Sequence, residues 1–152
     1  MFGRDDKESA REYLRDLGIP MDSHSYWWVK YPIRAINEIQ KLVDNTNASI
    51  YFPDGEMICE EIICTNFGTP YRIRIVVHDS HPFVMPCVTI VEPVITNAVH
   101  RWNDGKLCLM HPDEYDSRMS ILEFRNMTAT WCFCHDVYQQ TSEWPAAEYI
   151  HT

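Results

Sequence analysis

Between Ala48 and Pro93 the chain is a succession of short β-prone runs separated by turn residues, and this limits the folds open to it. Ser49 to Phe52 leads into Pro53-Asp54-Gly55, residue types that favour a tight hairpin turn. Met57 to Cys64 follows, then a second turn across Asn66 to Pro70. The run from Tyr71 to Val77 alternates, so that Tyr71, Ile73, Ile75 and Val77 share one face of a strand. A proline-bounded loop, His81-Pro82 to Pro86, precedes a fourth run, Cys87 to Val91, closed by Pro93. Consecutive strands joined by turns this short read as an antiparallel meander.

Helical spacing appears on both sides of this run. Ala10, Tyr13, Leu14 and Leu17 fall on one face of a first helix, with Asp5 or Asp6 as cap and Gly18 and Pro20 as its stop. Tyr26-Trp27-Trp28-Val29 reads as an extended aromatic segment ending near Pro32. Ile36, Ile39 and Val43 then suggest another helix, ending around Asp44 to Asn47. Near the C-terminus, Ser120 and Glu123 have the spacing of a capping box. Phe124, Met127, Trp131 and Tyr138 follow at helical intervals, giving a face that should pack on the sheet, and Thr141 to Pro145 ends the helix. The expectation is an α+β fold, a meander flanked by N- and C-terminal helices, in a single domain spanning 1–152.

The formal charge of −9 repels phosphate backbones, so nucleic acid is not expected as a partner. The first residues are charged and no apolar stretch approaches a bilayer span, which points to a cytoplasmic protein with no membrane partner. The six cysteines are then thiols in a reducing compartment. Their spacing gives no paired zinc signature, and in a helix Cys132 and Cys134 would point to different faces, so no metal is expected. No Gly-rich phosphate loop is present, so no cofactor is expected. Cys59, Cys64, Cys87, Cys132 and Cys134 fall in strands or a helix and read as buried, inert thiols. Cys108 lies in a polar loop containing glycine.

His81-Pro82-Phe83-Val84-Met85-Pro86-Cys87-Val88-Thr89-Ile90 resembles the YP-x-x-P-P-x-V-x-F strand-loop-strand of ubiquitin-conjugating enzymes. His100 and Asp104-Gly105-Lys106-Leu107-Cys108-Leu109 resemble that family's HPN…G-x-I-C-L active-site segment, in the same order along the chain. The likeness covers roughly residues 48 to 109, with the flanking helices matched in outline. Three departures stand out. The His-Pro-Asn tripeptide reads His100-Arg101-Trp102, with Asn103 out of register. The interval to the cysteine is shorter. The tryptophan after the cysteine is absent, with Tyr115 near its place. The C-terminal helix together with Trp144-Pro145, Glu148 and His151 is closer to the bacterial branch. Members of that branch accompany activating-enzyme-like and deubiquitinase-like proteins or anti-phage nucleotidyltransferases.

The resemblance implies a transferase that carries a protein C-terminus as a thioester on Cys108 and passes it to an acceptor. Its partners would be an activating-enzyme-like protein and either a ubiquitin-like protein or a nucleotidyltransferase C-terminal tail. A thioester carrier needs an exposed, partly ionised thiol, and free cysteine is already intrinsically nucleophilic at neutral pH. His111 and His100 could assist the thiol, Lys106 adds positive charge, and Asp104-Gly105 allows a turn presenting Cys108. Asn103 is a candidate for the family's amide, while Asp113 or Glu114 could help take a proton from an amine acceptor. The bland readings are a structural His100, an ordinary turn histidine at His111, solvated acids at Asp113 and Glu114, and core tryptophans at 27, 28, 131 and 144. Two rivals are a non-catalytic binding module of the same fold and a cysteine hydrolase pairing Cys108 with His111 or His100.

Overall fold

The computed structural model describes residues 4–96, 101, 105–107 and 109–145. The first helix, α1 (Arg4–Asp16), begins ahead of both Asp5 and Asp6, so neither is its cap. Ala10 and Leu14 are buried, but Leu17 is 54% exposed because it lies past the last helical residue. Ile19 takes its place. Gly18, at φ +85°, donates its N–H to the Arg15 carbonyl, and the Ile19 N–H reaches back to Leu14 O at 3.2 Å. This is a Schellman ending, and it sets Ile19 against Leu14 in the core.

The aromatic segment expected to be extended is instead a helical turn, α2 (Trp27–Lys30). In a strand, adjacent side chains point to opposite faces and one indole would meet water. A helical turn separates them by about 100° and lets both enter the core. Trp27 and Trp28 are accordingly fully buried, with Trp28 Nε1 donating to Pro20 O at 2.7 Å. Pro32 opens α3 (Pro32–Asn45), a position where its missing N–H costs nothing. The buried line of α3 is Ala35, Glu38 and Leu42, one residue off the line expected through Ile36, Ile39 and Val43. Ile36 and Ile39 are half-buried at its edge and Val43 is 61% exposed. A glutamate holds the central inward position.

The strands β1 (Ser49–Tyr51), β2 (Met57–Cys64), β3 (Pro70–Val77) and β4 (Cys87–Glu92) form one sheet in that order, each antiparallel to the next. Asp54 and Gly55 have φ of +48° and +81°, the backbone of a twist-matched hairpin turn between β1 and β2. The alternation in β3 is realised, with Tyr71, Ile73, Ile75 and Val77 all buried. Met57, Cys59 and Ile63 of β2 and Val88 of β4 share this inner face. Glu61 is buried there too, held by a bidentate pair with Arg125 at 2.8 and 2.9 Å.

The last helix, α4 (Ile121–Thr141), starts with the capping box read from the sequence. Ser120 Oγ accepts from Glu123 N at 3.2 Å and Glu123 Oε2 accepts from Ser120 N at 2.9 Å. Phe124 and Trp131 are buried, and Met127 and Tyr138 are half-buried. Trp144 packs against the core from beyond the helix. The α+β meander flanked by helices is therefore present. The expectation of inert thiols holds for Cys59, Cys132 and Cys134, which are buried. It fails for Cys64, which is exposed, and for Cys87, which is half-buried, because both lie on the sheet's outer face. Cys132 and Cys134 are both enclosed although they point different ways, since α4 is covered on more than one side.

Candidate functional site

Cys108, His100 and Asn103 lie outside the described residues, and their neighbours Lys106, Leu107, Leu109 and His111 lie within them. Leu107 is buried and donates its N–H to Val88 O at 2.9 Å, fastening the segment to β4. It also forms an antiparallel bridge with Arg101, whose guanidinium donates to Ile95 O. Arg101, in place of the family's proline, thus ties the segment to the chain leaving β4. Gly105, at φ +89°, has the left-handed backbone expected of a turn before the cysteine.

After the cysteine the chain is fastened again. Tyr115, near the place of the family's tryptophan, donates its hydroxyl to Pro82 O at 2.7 Å and packs on Phe124. Arg34 on α3 donates to Ser117 O at 2.6 Å and Met119 O at 2.9 Å. These bonds bind the 111–120 segment to the loop after β3 and to α3.

Behind this segment lies a buried charged junction that the sequence reading did not foresee. Glu38 Oε1 accepts the Ile121 N–H at 2.7 Å, one of the amides that α4 itself leaves unpaired. Its Oε2 accepts from Arg34 Nε at 2.9 Å and from His81 Nε2 at 2.5 Å. Burial pushes the Glu38 carboxyl up, but the His81 bond and charge, the Ile121 amide and Arg34 outweigh it and hold it below its ordinary range. His81 is buried edge-on against Trp27 at a centroid distance of 4.5 Å. The motif read from the sequence marked His81, but nothing marked Glu38 as its partner.

A second buried cluster joins β3 to α4. Tyr71 donates its hydroxyl to Asp136 Oδ1 at 2.8 Å and lies 2.7 Å from His135 Nδ1. A phenol has one proton, so Nδ1–H donates to Tyr71 Oη and Nε2 accepts from the Gln139 amide at 3.2 Å. Thr65 completes the carboxylate's bonding. Burial lowers the His135 pKa, Asp136 opposes that, and Arg101 adds to it.

His111 caps a single 3₁₀ turn, Pro112–Glu114. Its Nδ1 accepts the Asp113 N–H at 3.1 Å, while an Asp113 carboxylate oxygen lies 3.4 Å from the same nitrogen. One nitrogen cannot accept and donate together, and the shorter, aligned amide contact is the bond. In the neutral ring the proton is then on Nε2. Lys106, Asp113 and Glu114 are exposed. Among the described residues no group of three His, Cys, Asp or Glu converges to hold a metal ion, and no helix is long and apolar enough to cross a membrane.

The sequence profile of type II CBASS E2 proteins matches residues 35–152. The chain belongs to that family. It is a bacterial ubiquitin-conjugating-like, anti-phage family, so the likeness read from the strand-loop-strand and the cysteine segment named the right group. The match includes the cysteine segment and, apart from Arg34, both buried clusters. Among solved structures, the ubiquitin conjugating enzyme E2 from Plasmodium falciparum is 22% identical over 64% of this chain and 95% of that one, with a TM-score of 0.46. The Plasmodium vivax ubiquitin conjugating enzyme E2 is 20% identical over 63% and 97%, also at 0.46. No curated protein matches the chain. Membership gives the chain a ubiquitin-conjugating-like role in CBASS, an antiviral defence.

Proposed function

We propose that the chain is a transferase that carries a protein C-terminus as a thioester on Cys108. The observation that carries this reading is the family match across residues 35–152, which spans the Gly105-Lys106-Leu107-Cys108-Leu109 segment. The cysteine thiolate attacks the thioester carbonyl on an activating-enzyme-like partner, and the partner's sulfur leaves as a thiolate. An amine or thiol acceptor then attacks the new carbonyl and Cys108 departs in turn. The exchange is nearly balanced, so it needs access and orientation more than strong acid–base help. Burial of Leu107 on β4 and the Tyr115 and Arg34 bonds beyond support such an orienting role for the frame.

The cargo is a ubiquitin-like protein or a nucleotidyltransferase C-terminal tail, and the setting is the cytoplasm, with residues 1–152 acting as one domain. A core shared by α1, the sheet and α4 supports that unity. His100, Asn103 and His111 are assigned as assisting residues, with Nδ1 of His111 already accepting the Asp113 amide. That tautomer is the wrong one for a hydrolase base, which weighs against a hydrolase pairing Cys108 with His111.

The test is intact-mass spectrometry on protein recovered from cells that also carry the neighbouring genes, comparing wild type with Cys108→Ser and Cys108→Ala. The expected result is a thiol-sensitive protein adduct on wild type, a hydroxylamine-resistant one on Cys108→Ser, and none on Cys108→Ala. An unmodified wild type, with Cys108→Ala still protective in cells, would replace the carrier by a binding module.

A further inference from the structure

On the open face of the sheet, away from both buried clusters, three strand ends bring together a thiol, an imidazole and a carboxylate. Register explains the meeting. Met57 pairs with Val77 and Val76 pairs with Cys87. Glu56 and His78, one residue beyond Met57 and Val77, therefore face each other on the outer side. Cys87 is the diagonal neighbour of His78 on the same side. His78 Nδ1 lies 2.9 Å from Glu56 Oε2, and His78 Nε2 lies 3.9 Å from Cys87 Sγ, within hydrogen-bonding reach for sulfur.

The ring lies between its partners, with the carboxylate on one nitrogen and the thiol on the other. A metal would need donors converging on one point, and these diverge. With Nδ1–H donated to Glu56, the lone pair of Nε2 faces sulfur, the tautomer a general base requires. His78 and Glu56 side chains are 46% and 40% exposed and Cys87 is half-buried, so reagents reach all three. The peptide groups around Cys87 belong to the β3–β4 ladder, and an open sheet face offers no cradle of donors for a tetrahedral oxyanion. Thiol–disulfide exchange needs no such cradle.

We propose that Cys87 is a second reactive thiol, with His78 as its base and Glu56 orienting that base, and that it takes low-molecular-weight disulfides. In the step, the thiol proton moves to His78 Nε2 as Cys87 Sγ attacks one sulfur of the reagent. The new S–S bond forms and the reagent's S–S bond breaks. The departing thiolate collects the proton from the imidazolium and leaves as a free thiol. This site is independent of the role given to Cys108.

Cys64 is the internal reference, because it is exposed and makes no hydrogen bond to a histidine among the described residues. Exposure alone ranks Cys64 above Cys87. The reduced full chain is treated with oxidised glutathione, and mixed-disulfide formation at each cysteine is followed by peptide mass spectrometry. Cys87 reacts at least about tenfold faster than Cys64 in wild type, a modest share of what a general base contributes. In His78→Asn the Cys87 rate falls to that of Cys64, in Glu56→Gln it falls part-way, and Cys64 is unchanged in both. Added imidazole restores part of the rate in His78→Ala, which a purely structural role would not allow. Near-UV circular dichroism verifies that the variants are folded, and iodoacetamide labelling of wild type supplies a second measurement needing no variant. The proposal is overturned if Cys87 is no faster than Cys64 with both reagents, or if His78→Asn leaves its rate unchanged.

Discussion

Replacing Glu38 by glutamine keeps the side chain's shape and removes the charge from the junction behind the cysteine segment. The carboxylate accepts three bonds, from Ile121 N, Arg34 Nε and His81 Nε2. Glutamine has one oxygen, and its NH₂ would face at least one of these donors. Hydrogen bonds involving charged groups contribute about 1.5–3 kcal/mol each, and removing one member of a buried pair costs about 3–5 kcal/mol. Arg34 is partly exposed and relaxes into water, so the lower end applies, about 3 kcal/mol. For a 152-residue chain each kcal/mol lowers Tm by about 3 °C, so the expected drop at pH 7 is about 9 °C. The loss depends on pH. Glu38 has its folded pKa below the ordinary value of 4.5, so its stabilisation is fully present above that value. It is lost as pH falls through the lowered folded value. Thermal melts from pH 7 down to pH 3 should therefore show the gap between wild type and Glu38→Gln closing in acid. A drop smaller than about 3 °C at pH 7, or a gap equally wide at pH 3, would refute the account of Glu38 as an ionised anchor.

Tyr71→Phe strands the His135 Nδ1–H and one Asp136 oxygen, and should cost about 1–3 kcal/mol in urea unfolding. His135 has a lowered folded pKa, so its contribution is present above its ordinary value of 6.5 and lost as pH falls through the folded one. The urea midpoint of wild type should fall between pH 7.5 and pH 5, and His135→Gln should flatten that slope. Ser120→Ala removes half of the capping box and should cost about 1 kcal/mol, whereas Ser120→Asp should retain most of it.

Features governed by close neighbours along the chain are legible in the sequence. The hairpin at Asp54-Gly55, the alternation of Tyr71 to Val77 and the Ser120–Glu123 box depend on local backbone preference and period, and all three stand in the fold. The cysteine segment is legible through its motif. The expectations that fail are decided by partners far away in the chain. Trp27 and Trp28 favour strands by propensity, but only a helical turn buries both. An apolar pattern on α3 cannot announce a buried Glu38, because the residues that neutralise it, His81 and the Ile121 amide, are 43 and 83 positions away.

The meander, the long helices on either side of it, the family and the cysteine worth testing are written in the sequence, since each rests on local periodicity or a contiguous motif. Which polar groups come together, and which of them are shut away from water, depends on how distant parts of the chain pack. Glu38 with His81 and Tyr71 with His135 and Asp136 exist only through packing, and the exposed group of Glu56, His78 and Cys87 only through strand register. Desolvation and hydrogen-bond geometry, which set what such groups can do, are properties of that packing and have no signature along the chain.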